Sequence, residues 1–320
     1  MPIYNLLKKS CFGILIGLLF VGEIHAQEES VIELPDSAYV MKHLFALSAD
    51  SMMGRATYQP KGIQKARKYI IKELLRIGVP AYVPNYEQSF EIPQSKGDTL
   101  EGVNLLAYVE GYSNEETIVV SAHYDHVGMK DSAQIFNGAD DNASGTVALL
   151  EMAKYFTQNQ PENTIIFAFF DAEEMGLLGA KHFVRSMVVD SSLIKLNVNM
   201  DMVARGDKFE MYAVGTYFYP QLKVYIEEAA KGKGIKMIYG ADKPKDKPNW
   251  VQASDHGAFH QYEIPFVYFG VDDHKDYHTI HDTADKVNPV FYLNAIQLIK
   301  ESILIFDANL DTIILNMVKR

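Results

Sequence analysis

The sequence is poor in cysteine and carries no excess of positive charge. It contains one cysteine, Cys11, and 30 Lys and Arg residues against 41 Asp and Glu residues, so its formal net charge is −11. Nucleic acids and anionic membrane surfaces require a basic face, and we therefore expect neither as the main partner. Hydrophobic residues make up 48% of the 320 residues and aromatic residues 12%, which excludes an intrinsically disordered chain and indicates a sizeable core.

Long hydrophobic runs are also scarce, and the one near the N-terminus is typical of a signal peptide. Lys8 and Lys9 precede an apolar run over 11–21, and Ala26 offers a small residue at a cleavage position. The run is short for a transmembrane helix, so we predict that residues 1–26 are a signal peptide cleaved after Ala26, with a retained membrane anchor as the alternative. The mature protein would be periplasmic or extracellular, without stable membrane insertion and without a cysteine for a disulfide.

Downstream of this segment, helix-like and strand-like segments alternate. Helical periodicity predicts helices over 62–77, 143–158, 175–186, 219–231 and 289–308. Apolar, β-rich runs predict strands over 105–109, 117–122, 164–170, 196–202, 209–214 and 266–269. Such alternation indicates an α/β fold with a mixed, mostly parallel central sheet and helices on both faces. We expect residues 27–320 to form a single domain.

Side chains that can bind metal ions follow four of the predicted strands and precede one predicted helix. His123, Asp125 and His126 follow one strand, Glu173 and Glu174 follow another, and Asp201 comes after Met200 near the end of a third. Tyr277 and His278 follow a fourth strand after a loop, and Asp141 precedes the helix. Because ligands of open α/β sheets gather beyond the carboxyl ends of the strands, we expect these side chains to lie together. Taken singly, Asp141 could cap its helix and the two glutamates could favour a helix N-terminus. Their joint occurrence in one α/β chain predicts a metal site instead.

The five segments, in this order, resemble the motifs of the co-catalytic zinc peptidases of metallopeptidase family twenty-eight. The matching residues are His123-x-Asp125, Gly138-x-x-Asp141-x-x-Ser144-Gly145, Glu173-Glu174, Asp201 and Tyr277-His278. This family includes secreted bacterial aminopeptidases, glutamate carboxypeptidase and glutaminyl cyclases. The resemblance implies a zinc aminopeptidase-like fold. Some relatives carry an inserted protease-associated domain, but the stretch over 60–100 is too short to hold one, so we expect the compact form.

The resemblance also implies two zinc ions that share one carboxylate. Asp141 would bridge both ions, with Glu174 and His278 completing one site. His123 and Asp201 would complete the other site. Histidine nitrogens and carboxylate oxygens are ligands that suit zinc. Three carboxylates and a bridging hydroxide would nearly neutralise two divalent ions.

Three further residues have roles that the resemblance implies. Asp125, two residues after His123 on an extended chain, would orient that imidazole. Glu173, which adjoins a ligand, would be the general base that takes a proton from the bridging water and passes it to the leaving amine. Tyr277 would donate to the developing oxyanion, with simple packing as the alternative.

Other reactive side chains lie near the motifs but match no ligand position. We interpret His126 and His281 as loop residues or as groups that support the ligands. Arg205 would either meet a substrate carboxylate or form an exposed salt bridge. The run Ser-Asp-His at 254–256 cannot form a hydrolase triad on one backbone segment. We expect it to cap the helix that follows or to line the pocket.

Together these features favour a metal-dependent aminopeptidase, an exopeptidase that hydrolyses the N-terminal peptide bond of peptides through a water that bridges two zinc ions. A glutaminyl cyclase uses much of the same constellation, but such cyclases tend to have tryptophan where this chain has Tyr277. A carboxypeptidase or dipeptidase is less favoured, because no arginine cluster is evident for an acidic substrate. A non-catalytic binding ectodomain would have lost ligands or the base, and none is missing here.

Overall fold

A mixed β-sheet carries the fold in the computed structural model, which describes residues 34–94, 97–186 and 188–318. The predicted signal peptide, residues 1–26, lies outside the described residues. The eight strands of this sheet are β1 (Glu87–Pro93), β2 (Thr99–Val109), β3 (Ser113–His123), β6 (Asn163–Phe170), β7 (Ile194–Met200), β8 (Glu210–Val214), β9 (Lys236–Ile238) and β10 (Phe266–Gly270). A separate hairpin pairs β4 (Met129–Asp131) with β5 (Gln134–Ile135) in the loop that follows β3.

The sheet has the strand order β1-β2-β6-β3-β7-β10-β8-β9. Its centre, β6-β3-β7-β10, is parallel, and β2 and β8 run antiparallel to their central neighbours. In the parallel register, Val120 of β3 lies opposite Phe167 of β6 and Val198 of β7, and all three side chains are buried. Strands that are covered on both faces have continuous apolar sequences. The sequence therefore predicted these strands. The predicted mixed, mostly parallel sheet is confirmed.

Helices cover both faces of this sheet. The helices are α1 (Ser37–Leu47), α2 (Pro60–Ile77), α3 (Gly145–Gln158), α4 (Leu178–Arg185), α5 (Leu222–Ala229), α6 (His256–Gln261), α7 (Pro289–Ala308) and α8 (Leu310–Val318). Within β6, Phe167 and Phe169 join the core formed with α1, α2, α3, α5 and α7, whereas Ile166 and Phe170 join the core formed with α4 and α6. This alternation places one helical layer on each face of the sheet.

Among the described residues, the longest helix is α7, which by length and composition alone could cross a membrane. Its 18-residue apolar window has a mean hydropathy of 1.3, and 61% of that window is buried inside the structure. Phe291, Ile299 and Phe306 are fully buried in the main core. Burial of this kind is typical of the central helix of a folded domain. The helix also coincides with the segment predicted over 289–308.

Candidate metal centre

The carboxyl ends of the parallel strands bring the sequence-predicted ligands together. His123 is the last residue of β3, Glu173 and Glu174 follow β6, and Asp201 follows β7. His278 arrives from the loop after β10, and Asp141 lies in an irregular helical turn, Ala139–Ser144, that leads into α3. One ligand atom from each residue falls into one of two clusters of metal-binding groups.

The first cluster consists of His126, Asp141, Glu174 and His278, whose ligand atoms all lie within 4.8 Å of one another. His278 Nε2 is 2.9 Å from Asp141 Oδ2 and 3.3 Å from Glu174 Oε1. His126 Nδ1 is 2.9 Å from the same Glu174 oxygen and 3.5 Å from the same Asp141 oxygen. Two imidazole nitrogens therefore face the same pair of carboxylate oxygens.

The second cluster consists of His123, Glu173 and Asp201. His123 Nε2 lies 3.3 Å from Asp201 Oδ1 and 3.5 Å from Asp141 Oδ1. Asp141 thus directs one carboxylate oxygen at each cluster, as a bridging ligand must. The structure brings together all five residues that the sequence predicted as ligands, and it adds His126 to them.

The donor set fits two divalent metal ions. His123 Nε2, Asp141 Oδ2 and Asp201 Oδ1 are buried and make no hydrogen bond of acceptable geometry within the described residues. Leaving a buried polar atom without a partner costs about 1–3 kcal/mol, and a cation would supply the missing partner. Imidazole nitrogens and carboxylate oxygens are ligands of zinc, and two divalent ions would balance the charge of the carboxylates in the two clusters.

The electrostatic environment distinguishes the two adjacent glutamates. Burial raises the pKa of Glu173 well above its usual range, although His123 partly opposes this effect. Burial would also raise the pKa of Glu174, but the hydrogen bonds from His126 and His278 outweigh it and hold that pKa far below its usual range. The environment therefore favours the ionised form of Glu174, whereas Glu173 retains affinity for a proton.

The Asp125 carboxylate holds the backbone at Glu173 and Glu174. The Asp125 carboxylate accepts hydrogen bonds from the backbone N–H of Glu173 at 3.0 Å and of Glu174 at 3.4 Å. Its Oδ1 is 3.6 Å from His123 Nδ1, whereas the backbone carbonyl of Asp125 is closer to that nitrogen, at 3.2 Å. The sequence predicted that the carboxylate orients His123, and the structure gives it the neighbouring glutamates as its nearer partners.

The turn that carries Asp141 is fixed in the same way. The Asp282 carboxylate accepts hydrogen bonds from the backbone N–H groups of Asp140 and Asp141 at 3.0–3.1 Å. The peptide bond between Asp141 and Asn142 is cis, and the Asn142 side chain accepts a hydrogen bond from the Gly145 N–H at 2.9 Å. These contacts hold the backbone beneath the Asp141 carboxylate.

A pocket opens beside the two clusters. Its walls include Met202, Trp250, Tyr268 and Val271 together with Asp141, Glu173, Asp201, Tyr277 and His278. The Tyr277 ring stacks on the His278 ring at a centroid distance of 3.9 Å. The residue that was predicted as an oxyanion donor therefore lies at the pocket and also packs against a ligand.

The structure assigns different surroundings to the other residues that the sequence singled out. Arg205 is buried and pairs with buried Asp276 at 3.2 Å, so its salt bridge is not exposed as one alternative expected. The side chain of Asp255 makes no capping hydrogen bond to α6. The prediction that this run caps the helix is therefore wrong for Asp255. Ser254 instead accepts a hydrogen bond from Asn199 Nδ2 at 3.0 Å. His281 is exposed and belongs to neither cluster.

Comparison with known proteins places this centre in a family. The model of peptidase family M28 matches residues 104–303, more than half of the chain. Aminopeptidase YwaD of Bacillus subtilis (strain 168) is 27% identical over 233 residues, which cover 67% of this chain and 48% of that protein. The chain spans about half the length, or less, of the first curated relatives that it matches.

Solved structures share the fold. A zinc aminopeptidase from Bacillus subtilis superposes with a TM-score of 0.69 at 17% identity, covering 87% of this chain and 96% of that one. A glutaminyl cyclase of Bacteroides thetaiotaomicron, crystallised with N-acetylhistamine, superposes with a TM-score of 0.68 at 20% identity, covering 87% of this chain and 99% of that one. The zinc aminopeptidase-like fold that the motifs implied is confirmed.

Proposed function

The chain belongs to peptidase family M28, and we propose that it is a metal-dependent exopeptidase that releases the N-terminal residue of peptides. The observation that carries this proposal is the carboxylate of Asp141, whose two oxygens face two separate metal-binding clusters. Glu173 belongs to the second cluster and lines the adjoining pocket, beside the predicted ligands. Curated relatives of this chain are named aminopeptidases, which supports the same activity.

The residues of the chain would divide the reaction among them. Bound at the two clusters, zinc would act as a Lewis acid and lower the pKa of an attacking water. Glu173 would accept the proton of that water and deliver it to the amine that leaves, because burial raises its pKa and so favours uptake of a proton. Tyr277 would donate its hydroxyl hydrogen to the oxyanion that develops on the substrate.

The pocket combines carboxylates with a few apolar and aromatic side chains. Met202, Trp250, Tyr268 and Val271 form an apolar and aromatic wall beside the carboxylates. The Trp250 ring packs on Tyr212 at a centroid distance of 4.6 Å, which fixes part of that wall. Met202, Tyr268 and Val271 are themselves nearly buried, so they offer a substrate little apolar contact area beside the carboxylates.

Glutaminyl cyclase is the second candidate, because the first cluster alone offers a complete ligand set for one metal ion. The two activities differ in product and in metal content. Hydrolysis releases a free amino acid from many N-terminal residues, whereas a cyclase closes a ring only on N-terminal glutamine or glutamate. Tyr277 occupies the position where such cyclases tend to have tryptophan, and this favours the hydrolase.

The deciding experiment combines metal analysis with a substrate screen and a variant of the base. We expect two metal ions per chain and release of free amino acid from aminoacyl anilides. Glu173→Gln should keep both ions and lose roughly 10²–10⁴-fold in kcat, whereas Glu91→Gln, on the exposed edge strand, should behave as wild type. One metal ion with ring closure of glutaminyl peptides would establish the cyclase instead. Near-normal turnover of metal-loaded Glu173→Gln would remove Glu173 as the base.

We also propose that residues 1–26 direct export and are then removed. The composition of this segment, with Lys8 and Lys9 before an apolar run and Ala26 at a cleavage position, supports export. N-terminal sequencing of the exported protein should begin at Gln27. A mature protein that retains residues 11–21 would instead be membrane-anchored.

A further inference from the structure

We propose that His126 is a metal ligand of the first cluster, so that four protein ligands close this position and leave the second position open. The inference rests on the proposed function and deepens it, because it assigns different tasks to the two metal ions. It departs from the ligand set implied by the family motifs, in which His126 has no place.

The geometry of the first cluster treats His126 and His278 alike. Each contributes one ring nitrogen, and both nitrogens contact Asp141 Oδ2 and Glu174 Oε1. The four nitrogen-to-oxygen separations are 2.9, 3.3, 2.9 and 3.5 Å. Ligands about 2.0–2.2 Å from a tetrahedral zinc ion lie about 3.3–3.6 Å from one another. Two of the observed separations, 3.3 and 3.5 Å, match the edges of such a tetrahedron, and the two of 2.9 Å are hydrogen-bond distances that a bound ion would lengthen.

His126 is also held in place more firmly than a loop residue usually is. Its side chain is fully buried, whereas that of His278 is 38% exposed. Its ring packs on Gly138, where an added Cβ would lie 2.5 Å from His126 Cδ2. The backbone N–H of His126 donates to the Arg55 carbonyl at 3.3 Å, and the Arg55 guanidinium donates to the carbonyls of Tyr124 and Gly138 at 3.0 and 2.9 Å.

The polar contacts of the His126 ring leave it no other partner within the described residues. Its Nδ1 faces Glu174 and Asp141, and its buried Nε2 makes no hydrogen bond. A neutral imidazole at this position adds a nitrogen donor to two carboxylates without adding charge. That composition, two nitrogens and two oxygens, is a ligand set that zinc accepts.

The second cluster has a different composition. His123, Asp201 and the other oxygen of Asp141 face one another there, and Glu173 completes the group. If Glu173 serves as the base, three protein ligands remain, which is the usual number at a catalytic zinc site, whereas four ligands are typical of a structural one. The ion in the first cluster would therefore be bound more tightly, and the ion beside Glu173 would hold the open position.

The test measures metal binding and does not depend on turnover. X-ray absorption of wild-type protein loaded with one zinc ion should show two imidazole ligands. In His126→Gln, whose amide can still donate to Glu174, the affinity of the tight site should fall by more than the roughly 10–100-fold that loss of an outer partner costs. His281→Gln is the matched control, because His281 is exposed and belongs to neither cluster.

One imidazole in the wild-type one-zinc form, or unchanged affinity in His126→Gln, would overturn the assignment. The X-ray absorption result stands on the wild-type protein alone, so it decides the question even if the variant does not fold. Two imidazoles together with a complete lack of peptide hydrolysis would support His126 as a ligand and refute the proposed activity. If X-ray absorption shows one imidazole and the protein releases amino acids, the proposed activity would be supported and His126 would be excluded as a ligand.

Discussion

Acid should weaken the fold through His256, which is buried in a neutral form. Its side chain is completely inaccessible, and its Nε2–H donates to the Trp250 carbonyl at 2.8 Å. The ring lies 5.0 Å from the Phe266 ring and 4.8 Å from the Tyr268 ring, and Nδ1 has no hydrogen-bond partner within the described residues. Burial lowers the pKa of His256 to about 4, because a charged ring would be desolvated there.

The size and sign of the effect follow from the difference between the folded and unfolded pKa values. Above about pH 6.5 the imidazole is neutral in both states, so His256 does not make stability depend on pH. Between pH 6.5 and pH 4 the unfolded chain binds a proton that the folded protein rejects, so the free energy of unfolding falls as the pH falls. The loss should reach about 2 kcal/mol between pH 7 and pH 5 and about 3 kcal/mol by pH 4.

Guanidinium unfolding of wild type and His256→Gln at pH 7, 6 and 5 measures this loss. Both proteins are kept in chelator, so that metal release does not contribute. Buried carboxylates act in the opposite direction, as burial raises the pKa of Asp255 to about 8, and only the difference between the two proteins isolates His256. Between pH 7 and pH 5 the variant should lose about 2 kcal/mol less stability than wild type. Parallel pH dependences would refute a neutral, buried His256.

Three further substitutions test the centre and its pocket. Asp141→Ala should lose both metal ions, because one oxygen of this carboxylate faces each cluster; elemental analysis that finds two ions per chain would contradict the bridge. Trp250→Ala should raise KM for substrates with an apolar N-terminal residue by about twofold or more, since part of the small apolar lining is removed, and an unchanged KM would show that Trp250 does not contact the substrate. Asp125→Ala removes the acceptor of the Glu173 and Glu174 N–H groups, so zinc affinity in a competition titration should fall about 10–100-fold while the protein stays folded.

The sequence predicted best those elements whose burial leaves a continuous or periodic apolar pattern. The helix over 289–308 coincides with α7, and the strand over 164–170 lies within β6. Among the elements that the sequence did not predict, α1 and β1 each carry a local signal. Asp36 caps α1 through the Tyr39 N–H, and β1 alternates exposed and buried residues. β1 is an edge strand with one neighbour, so only its alternate residues Gln88, Phe90 and Ile92 are buried.

The candidate metal-binding residues also differ in how far the sequence could predict their positions. His123 is the last residue of β3 and Asp201 directly follows β7, so the sheet alone determines where these two residues meet. His126 comes only three residues after His123 but faces the other cluster. Its position depends on the bend of the chain after β3, which Arg55 fixes by donating to the carbonyls of Tyr124 and Gly138. The sequence of the 123–126 motif does not indicate that Arg55, about 70 residues earlier, contacts it, so the position of His126 could not be predicted.

The centre is built so that carboxylates hold other carboxylates in place. Asp282 accepts a hydrogen bond from the backbone of Asp141, and Asp125 accepts from the backbones of Glu173 and Glu174. Each contact positions an acidic side chain by adding another buried negative charge beside it. Burial accordingly raises the pKa values of Asp141, Glu173 and Asp282. Protons or cations must neutralise such a group, so two divalent ions would displace protons as they bind and would contribute their binding energy directly to folding.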